Sequence, residues 1–332
     1  MQLVLNKYGI SLKIENGMFK VKHEDETISI PVGKVKSVLL NKSVQLSSDV
    51  LMIAIENQIE VILTERNGKP VGRVWSHKYG SISKIRKNQL EFTKSPIAVA
   101  WTKGLLIQKL ENQQSVLLSV ASTDFLNGDE IEKPIAGIGK QIDKLKNLPI
   151  AGMETTAPKF RSIEARAALI YFQTLSKHLP EQYKFQSRSQ HPAYDSFNAL
   201  LNYAYGMLYI KIESALIKAG IDPYLGIMHR DEYNRPVLVY DCIEIFRAWA
   251  DFVVTDLCMQ QVIFPEFFEI ENGVFWLNDS AKRILITTFN EYMDEVINWN
   301  HFNRSRNAHI DIWSQKLATE FKKFKPETTK PF

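Results

Sequence analysis

Over residues 2 to 64, apolar positions come in short alternating or continuous blocks separated by turn residues, which predicts strands rather than helices. Leu3-Val4-Leu5, Ser11 to Ile14, Met18 to Val21, Thr27 to Ile30, Val35 to Leu40 and Glu60 to Leu63 are the expected strands, with Glu15-Asn16-Gly17 as a hairpin turn. Ser47-Ser48-Asp49 supplies cap chemistry for a short helix, Val50 to Asn57. Asn67-Gly68-Lys69-Pro70 is expected to turn the chain. After it, the apolar period lengthens to that of an amphipathic helix. Leu105, Leu106, Leu110, Val116, Leu117 and Val120 recur in helical order from Trp101 to Ser122, until Asn127-Gly128-Asp129 interrupts them. Further helices are expected at Gly137 to Leu145, Ile163 to His178, Ser196 to Ala219, Pro236 to Met259, Ser280 to Asn298 and Ala308 to Phe324.

The expected architecture is therefore a multidomain α+β chain, with a small β-rich N-terminal domain followed by a larger all-α catalytic domain. The boundaries are 1–72 for the β domain, 73–100 for a basic linker or hinge, 101–325 for the helical domain and 326–332 for a tail.

At 332 residues, 45% apolar and 23% charged, the chain has the composition of a globular protein with room for two cores. Only Cys242 and Cys258 are present, so neither a disulfide framework nor zinc-ribbon spacing is on offer. The first residues carry charges and lack an apolar signal core, and no run of 18 apolar residues occurs. A cytoplasmic protein with no membrane partner is expected.

A formal net charge of +4 is too small to identify a partner, but its distribution is uneven. From Arg66 to Lys103, nine Lys or Arg face the single acid Glu91, with Trp75, Tyr79, Phe92 and Trp101 interleaved. Such a stretch attracts phosphates, and its rings offer stacking faces for bases; a solvated helix face fits the same composition. Lys84, Arg86 and Lys87 are its expected phosphate contacts.

The stretch from Gly226 to Arg247 gathers the side chains that bind divalent cations. A helix starting at Pro236 sets Asp241 and Glu244 at i and i+3 on one face, and His229 lies just upstream in a loop that can fold back over the helix start. Three such groups make a candidate metal site that needs a partner from elsewhere. Glu164 is the only acid among small and apolar neighbours, and alone it reads as a first-turn glutamate favouring the helix dipole. Asp195 reads as a helix cap and Gly220 as a helix stop.

Four segments, taken in order, resemble the CRISPR-associated endonuclease and integrase family, Cas one. Glu164 with Ala167-Ala168 and Tyr171-Phe172 is similar to that family's Glu-x-x-Ala-Ala-x-x-Tyr-Phe helix. His191-Pro192 through Asp195-x-x-Asn198-Ala199-Leu200-Leu201 is similar to its Asp-Pro-x-Asn-Ala-Leu-Leu segment, with Ser196 in place of the proline. Gly220-Ile221-Asp222-Pro223 through Gly226-Ile227-Met228-His229 is similar to its Gly-Leu-Asp-Pro-x-x-Gly-Phe-Leu-His run. Arg235 through Asp241, Glu244 and Arg247 follows its Arg-x-Ser-Leu-x-x-Asp-Leu-x-Glu-x-x-Arg pattern, with Val237 in place of the serine. Ala165 also departs from a frequent glycine. None of these departures removes a metal-type side chain.

The resemblance implies that Glu164, His229 and Glu244 bind the metal, with Asp241 close by as an additional acid in the catalytic set. By resemblance Arg188 and Asn198 hold the site or a phosphate, and Arg247 pairs with Glu244 or joins the nucleic-acid contacts. Two carboxylates and an imidazole with no thiolate suit Mg²⁺ or Mn²⁺. The implied reaction joins the 3′-hydroxyl ends of short foreign DNA into a repeat array by transesterification. The implied partners are double-stranded DNA, a second copy in a homodimer, and a small ferredoxin-like second Cas protein in a heterohexamer. A transposon-borne integrase of the same superfamily and a catalytically silent DNA-binding scaffold are the alternatives.

Overall fold

In the computed structural model, residues 1–65, 68–74, 82–123, 129–229 and 235–325 are described. Asn67, Trp75, Tyr79, Asn127, Gly128 and the tail 326–332 lie outside them, and with them the readings that rest on those residues. The chain divides into two units, Met1–Gly80 and Ser81–Phe332.

The first unit carries two four-stranded sheets. One is built from β1 (Gln2–Leu5), β5 (Ser37–Leu40), β7 (Glu60–Thr64) and β8 (Pro70–Val74) in the order β1-β5-β7-β8, the first two pairings parallel and the last antiparallel. The other is an antiparallel meander of β2 (Ser11–Glu15), β3 (Met18–His23) and β4 (Glu26–Pro31), with β6 (Gln45–Leu46) parallel to β2. Asn16 and Gly17, at φ of 52° and 70°, form the tight turn of the β2–β3 hairpin where Glu15 pairs with Met18. The core gathers Leu3, Leu5, Leu12, Phe19, Val38, Leu40 and Val61 with Val50 and Ala54 of α1 (Ser48–Glu56). The expected strands and short helix of this region are present, and β6 and β8 add to them.

The second unit is mostly helical: α2 (Ser83–Thr93), α3 (Pro96–Thr123), α4 (Asp129–Asn147), α5 (Met153–His178), α6 (Ser196–Lys218), α7 (Val237–Ile243), α8 (Arg247–Met259), α9 (Asp279–Asp294) and α10 (Arg306–Lys323). A fold class of mixed α+β, strands first and helices after, thus describes the chain. A pair of hairpins interrupts the helices of this unit, β9 (Phe268–Glu271) with β10 (Val274–Leu277), and β11 (Val296–Trp299) with β12 (Phe302–Ser305). The region is therefore not all-α, and α9 stops short of the strand that takes Val296 to Trp299. Residues 82–100, expected as linker, hold α2 and the start of α3.

Departures from the expected helices reposition the acidic residues. Proline reads as a helix breaker, yet α4 and α5 run through Pro134 and Pro158, so α5 begins ten residues before Ile163. Glu164 is consequently a mid-helix residue, beyond the reach of the helix N-terminus. The expected helix over Pro236 to Met259 is two helices, with Glu244 to Phe246 between them. Val237, Val239, Ile243 and Ile245 are stiff β-branched residues with modest helix propensity. The break leaves the Ile245 carbonyl available to Asn112 Nδ2 of α3 at 2.8 Å. Among the described residues no helix is long and apolar enough to cross a membrane.

Candidate metal centre

The loop before α7 is held at three points. Gln89, fully buried on the inner face of α2, donates Nε2 to the Asp222 carbonyl at 2.7 Å and to the Leu225 carbonyl at 3.3 Å, and accepts the Asp222 N–H at 3.0 Å. The Pro223 carbonyl accepts the Leu238 N–H at 3.0 Å, satisfying an otherwise orphaned donor in the first turn of α7. Asp241 Oδ2 then accepts from the N–H groups of Ile227 (2.7 Å) and Met228 (3.1 Å), and Oδ1 from that of His229 (3.2 Å). The turn is so tight that a Cβ at Gly226 would stand 2.3 Å from the His229 carbonyl oxygen, which accounts for glycine there.

Asp241 also faces the His229 ring, with Nδ1 and Oδ1 2.6 Å apart. An Nδ1–H that donates to a carboxylate leaves the lone pair on Nε2, the usual arrangement of a metal-ligating histidine and its outer partner. From the resemblance, Asp241 is expected close to the metal as an additional acid. In the structure both its oxygens are engaged by the loop, so it positions His229. Partial burial works against protonation of His229, but the hydrogen bond to Asp241 and the charges of Asp241, Glu244 and Glu164 outweigh it and raise the pKa. Both glutamates are thus within electrostatic reach of this ring, whose side chain is 43% exposed.

Glu164 and Glu244 meet at a residue that the sequence did not single out. Lys109, buried on α3, donates Nζ to Glu164 Oε1 and stands 2.6 Å from Glu244 Oε2. On the other side, Arg247 Nε donates to Glu244 Oε1 at 3.0 Å. Burial favours protonated Glu244, yet Arg247 and Lys109, with His229 behind them, hold its carboxyl down at about 2. Burial likewise opposes charge on Lys109, and Glu244 and Glu164 reverse that effect, so its pKa is raised. The sequence signal for Lys109 is its place on the buried stripe with Leu105, Leu106, Leu110 and Gln113, since a buried lysine requires acids nearby.

Behind this cluster lies a second buried acid. Asp251 accepts from Tyr205 Oη at 2.5 Å and from Tyr171 Oη at 2.9 Å. Its pKa is raised by burial, against the two phenols and the charges of Arg247 and Arg188. Both guanidiniums lie over the Tyr205 ring, Arg247 at 4.5 Å and Arg188 at 5.4 Å from its centroid. Arg188 donates to Asn198 Oδ1 (2.7 Å) and Asn202 Oδ1 (2.6 Å).

The expected nucleic-acid residues separate into two groups. Lys84, Arg86 and Lys87 are exposed on α2. Asn198 is fully buried, and its amide is spent on Ser187, Asp195, Ser189 and Arg188; it organises the turn before α6 and cannot itself touch a phosphate. Asp195 caps α6 by accepting the Asn198 N–H at 2.7 Å. Phe92 and Trp101 are not stacking platforms either, because Phe92 packs edge-on to Phe321 and Phe324, and Trp101 packs near Trp313.

Among the described residues no three His, Cys, Asp or Glu groups gather closely enough to hold a metal ion as they stand. The donor set nevertheless fits one. Two carboxylates, one from α5 and one from the break between α7 and α8, already converge on a single cation, and an imidazole with its Nδ1 committed elsewhere lies within their field. Oxygen donors with one imidazole suit a hard divalent cation.

The model of the family described as CRISPR associated protein Cas1 matches residues 3–291. The CRISPR-associated endonuclease Cas1 1 of Archaeoglobus fulgidus is 30% identical over 330 residues, covering 96% of this chain and 95% of that protein. Among solved structures, a casposase bound to integration product superposes with a TM-score of 0.84 at 19% identity, over 99% of this chain and 93% of that one. A chain of a Cas6-RT-Cas1–Cas2 complex gives a TM-score of 0.78 at 20% identity, over 97% of this chain and 35% of that one. These two show a shared fold.

Proposed function

Because this chain belongs to the Cas1 family of CRISPR-associated endonucleases and integrases, we propose that it is a divalent-metal-dependent enzyme that joins short foreign DNA into a CRISPR repeat array. The observation that carries this reading is the convergence of Glu164 and Glu244 on one buried cation, with both carboxylates acting electrostatically on His229. Glu164, Glu244 and His229 Nε2 would hold Mg²⁺ or Mn²⁺. Such an ion, when bound, polarises a phosphoryl oxygen and stabilises the leaving oxygen of a phosphodiester.

The remaining residues prepare that site. Asp241 fixes the tautomer and direction of the His229 ring, and Arg247 fixes the rotamer of Glu244 from the opposite side to Lys109. The Asp251–Tyr205 pair backs Arg247. The exposed Lys84, Arg86 and Lys87 supply phosphate contacts. A 3′-hydroxyl of the incoming DNA attacks the scissile phosphorus at the repeat end, one phosphodiester forms as another breaks, and no covalent protein intermediate is required. Water in place of the hydroxyl gives nicking.

Double-stranded DNA, a second copy of the chain and the small second Cas protein are the partners of this activity, and the cytoplasm of a prokaryote is its setting. Occurrence of this fold in an assembly with Cas2 supports that partner. The fold shared with a casposase supports the second reading, a transposon-borne integrase with the same chemistry on different DNA ends. A neighbouring repeat array in the genome distinguishes the first from terminal inverted repeats for the second.

The test is strand transfer of a short duplex with free 3′-hydroxyl ends into a supercoiled repeat-bearing plasmid, with Mn²⁺ or Mg²⁺ and the small partner present. Glu164→Ala, His229→Ala and Glu244→Ala should each lose more activity than the about 10–100-fold typical of outer partners of a metal site, while DNA binding survives. Activity persisting in these variants rejects the site, and a wild type inert with both metals moves the silent scaffold to the front.

A further inference from the structure

Lys109 has no role in the reaction proposed above, yet it is the residue on which both glutamates converge. Its ammonium lies 2.6 Å from Glu244 Oε2 and is hydrogen-bonded to Glu164 Oε1. A divalent ion shared by those two carboxylates needs their oxygens at about 2.0–2.6 Å, which is the space that the ammonium fills. Charge leads to the same result. Two carboxylates, Glu164 and Glu244, face two cations, Lys109 and Arg247, so the cluster is balanced without metal. A dication entering while Lys109 stayed would leave these four groups with two excess positive charges, and withdrawal of Lys109 halves that excess.

Arg247 is the poorer candidate to leave. It is fixed by the Tyr205 ring on one side and Glu244 on the other, whereas Lys109 reaches the site on a flexible four-carbon stem. The helix under it is anchored independently, because Asn112, one turn on, holds the Ile245 carbonyl at 2.8 Å. The side chain can therefore move without moving the backbone that supports Glu244.

Resting on the metal site argued above, we propose that Lys109 is a built-in placeholder cation. It keeps Glu164 and Glu244 together and charge-compensated in the metal-free protein, and withdraws when a divalent cation takes its place. Lys109 is thus a positioning residue that competes with the metal. Its loss should loosen the metal-free protein and tighten metal binding, two effects of opposite sign that a purely structural lysine does not produce together.

The experiment measures Mn²⁺ binding to the chelator-stripped full chain by the electron paramagnetic resonance signal of free Mn²⁺, with thermal unfolding in chelator alongside. Wild type is compared with Lys109→Met, Lys109→Arg and Glu244→Gln. Lys109→Met should bind Mn²⁺ about tenfold or more tightly than wild type, as expected for removing a unit charge from a partly desolvated site. Its melting temperature in chelator should fall. Lys109→Arg, which keeps the charge, should bind no more tightly than wild type. If Lys109→Met is unfolded without metal, Mn²⁺ should restore its fold, and failure to do so overturns the proposal. Equal or weaker binding by Lys109→Met, with wild type binding and Glu244→Gln not, overturns the placeholder and leaves the metal site standing. No binding by wild type, or wild-type affinity in Glu244→Gln, overturns the metal site and the placeholder with it.

Discussion

The two sides of α7 treat a carboxylate in opposite ways. At the loop side, Asp241 is compensated by three backbone N–H groups and the His229 ring, all of which are fixed by the fold. One turn later, at the break before α8, Glu244 is compensated by the side-chain cations Lys109 and Arg247. Fixed dipoles cannot be exchanged for a ligand, whereas a lysine on a flexible stem can. Asp241 is therefore committed to shaping the loop, and in the proposed centre Glu244 is the carboxylate open to exchange of its cation. The Asp251 cluster sides with Asp241, because two phenols take its oxygens.

The largest test of this contrast is Asp241→Ala. It orphans three N–H groups and frees the His229 ring, so unfolding free energy should drop by about 3 kcal/mol or more, with or without metal. Glu244→Gln should instead abolish the rise in Tm that Mn²⁺ produces. If Asp241→Ala kept its stability and lost only the metal response, Asp241 would be a ligand and the contrast would collapse.

Gln89→Leu is expected to come next. It removes three hydrogen bonds between α2 and the 222–225 backbone, and should cost about 1–3 kcal/mol while weakening Mn²⁺ binding through the His229 loop. Unchanged Mn²⁺ affinity would show that the loop is held well enough from the Asp241 side alone.

Acid sharpens the comparison further. The Glu244 carboxyl lies at about 2 in the folded metal-free protein, below its ordinary 4.5. A depressed carboxylate contributes stability above the unfolded value, and that contribution is lost as pH falls from about 4.5 toward about 2. Glu244→Gln should flatten the fall of stability over this window, as measured by denaturant unfolding at successive pH values. An identical slope in the variant would mean that Glu244 is not held by its cations.

The smallest effect is expected on the outer face of α2. Replacing Lys84, Arg86 and Lys87 with Gln should reduce the slope of log affinity for DNA against log salt by about 1 per lost phosphate contact, with stability unchanged. An unaltered slope would place the DNA elsewhere.

Much of the fold and of the candidate centre was legible in the chain, and the omissions have physical causes. His229, Asp241 and Glu244 follow from residue type and spacing, and Glu164 needed the family resemblance, because a helix expected to start at Ile163 made it look like a first-turn residue when α5 in fact begins at Met153. Helix α2 was hidden by its basic run, although Ile85, Gln89 and Phe92 already fall on one face. Asn272-Gly273 is a strong hairpin signal that the helical surroundings obscured, while Asn300-His301 turns the other hairpin at positive φ without a glycine to announce it. At the split between α7 and α8 the freed Ile245 carbonyl is taken by Asn112 from a distant helix, and no local pattern reveals such a partner.

The most direct test of the central claim is the anomalous difference density of manganese in crystals of the chelator-stripped protein soaked with Mn²⁺. The expected result is a peak in coordination contact with Glu164, Glu244 and His229 Nε2, with Lys109 turned away from the two carboxylates. A peak at Asp241 or Asp251, or none at saturating Mn²⁺, would contradict the assignment of the centre.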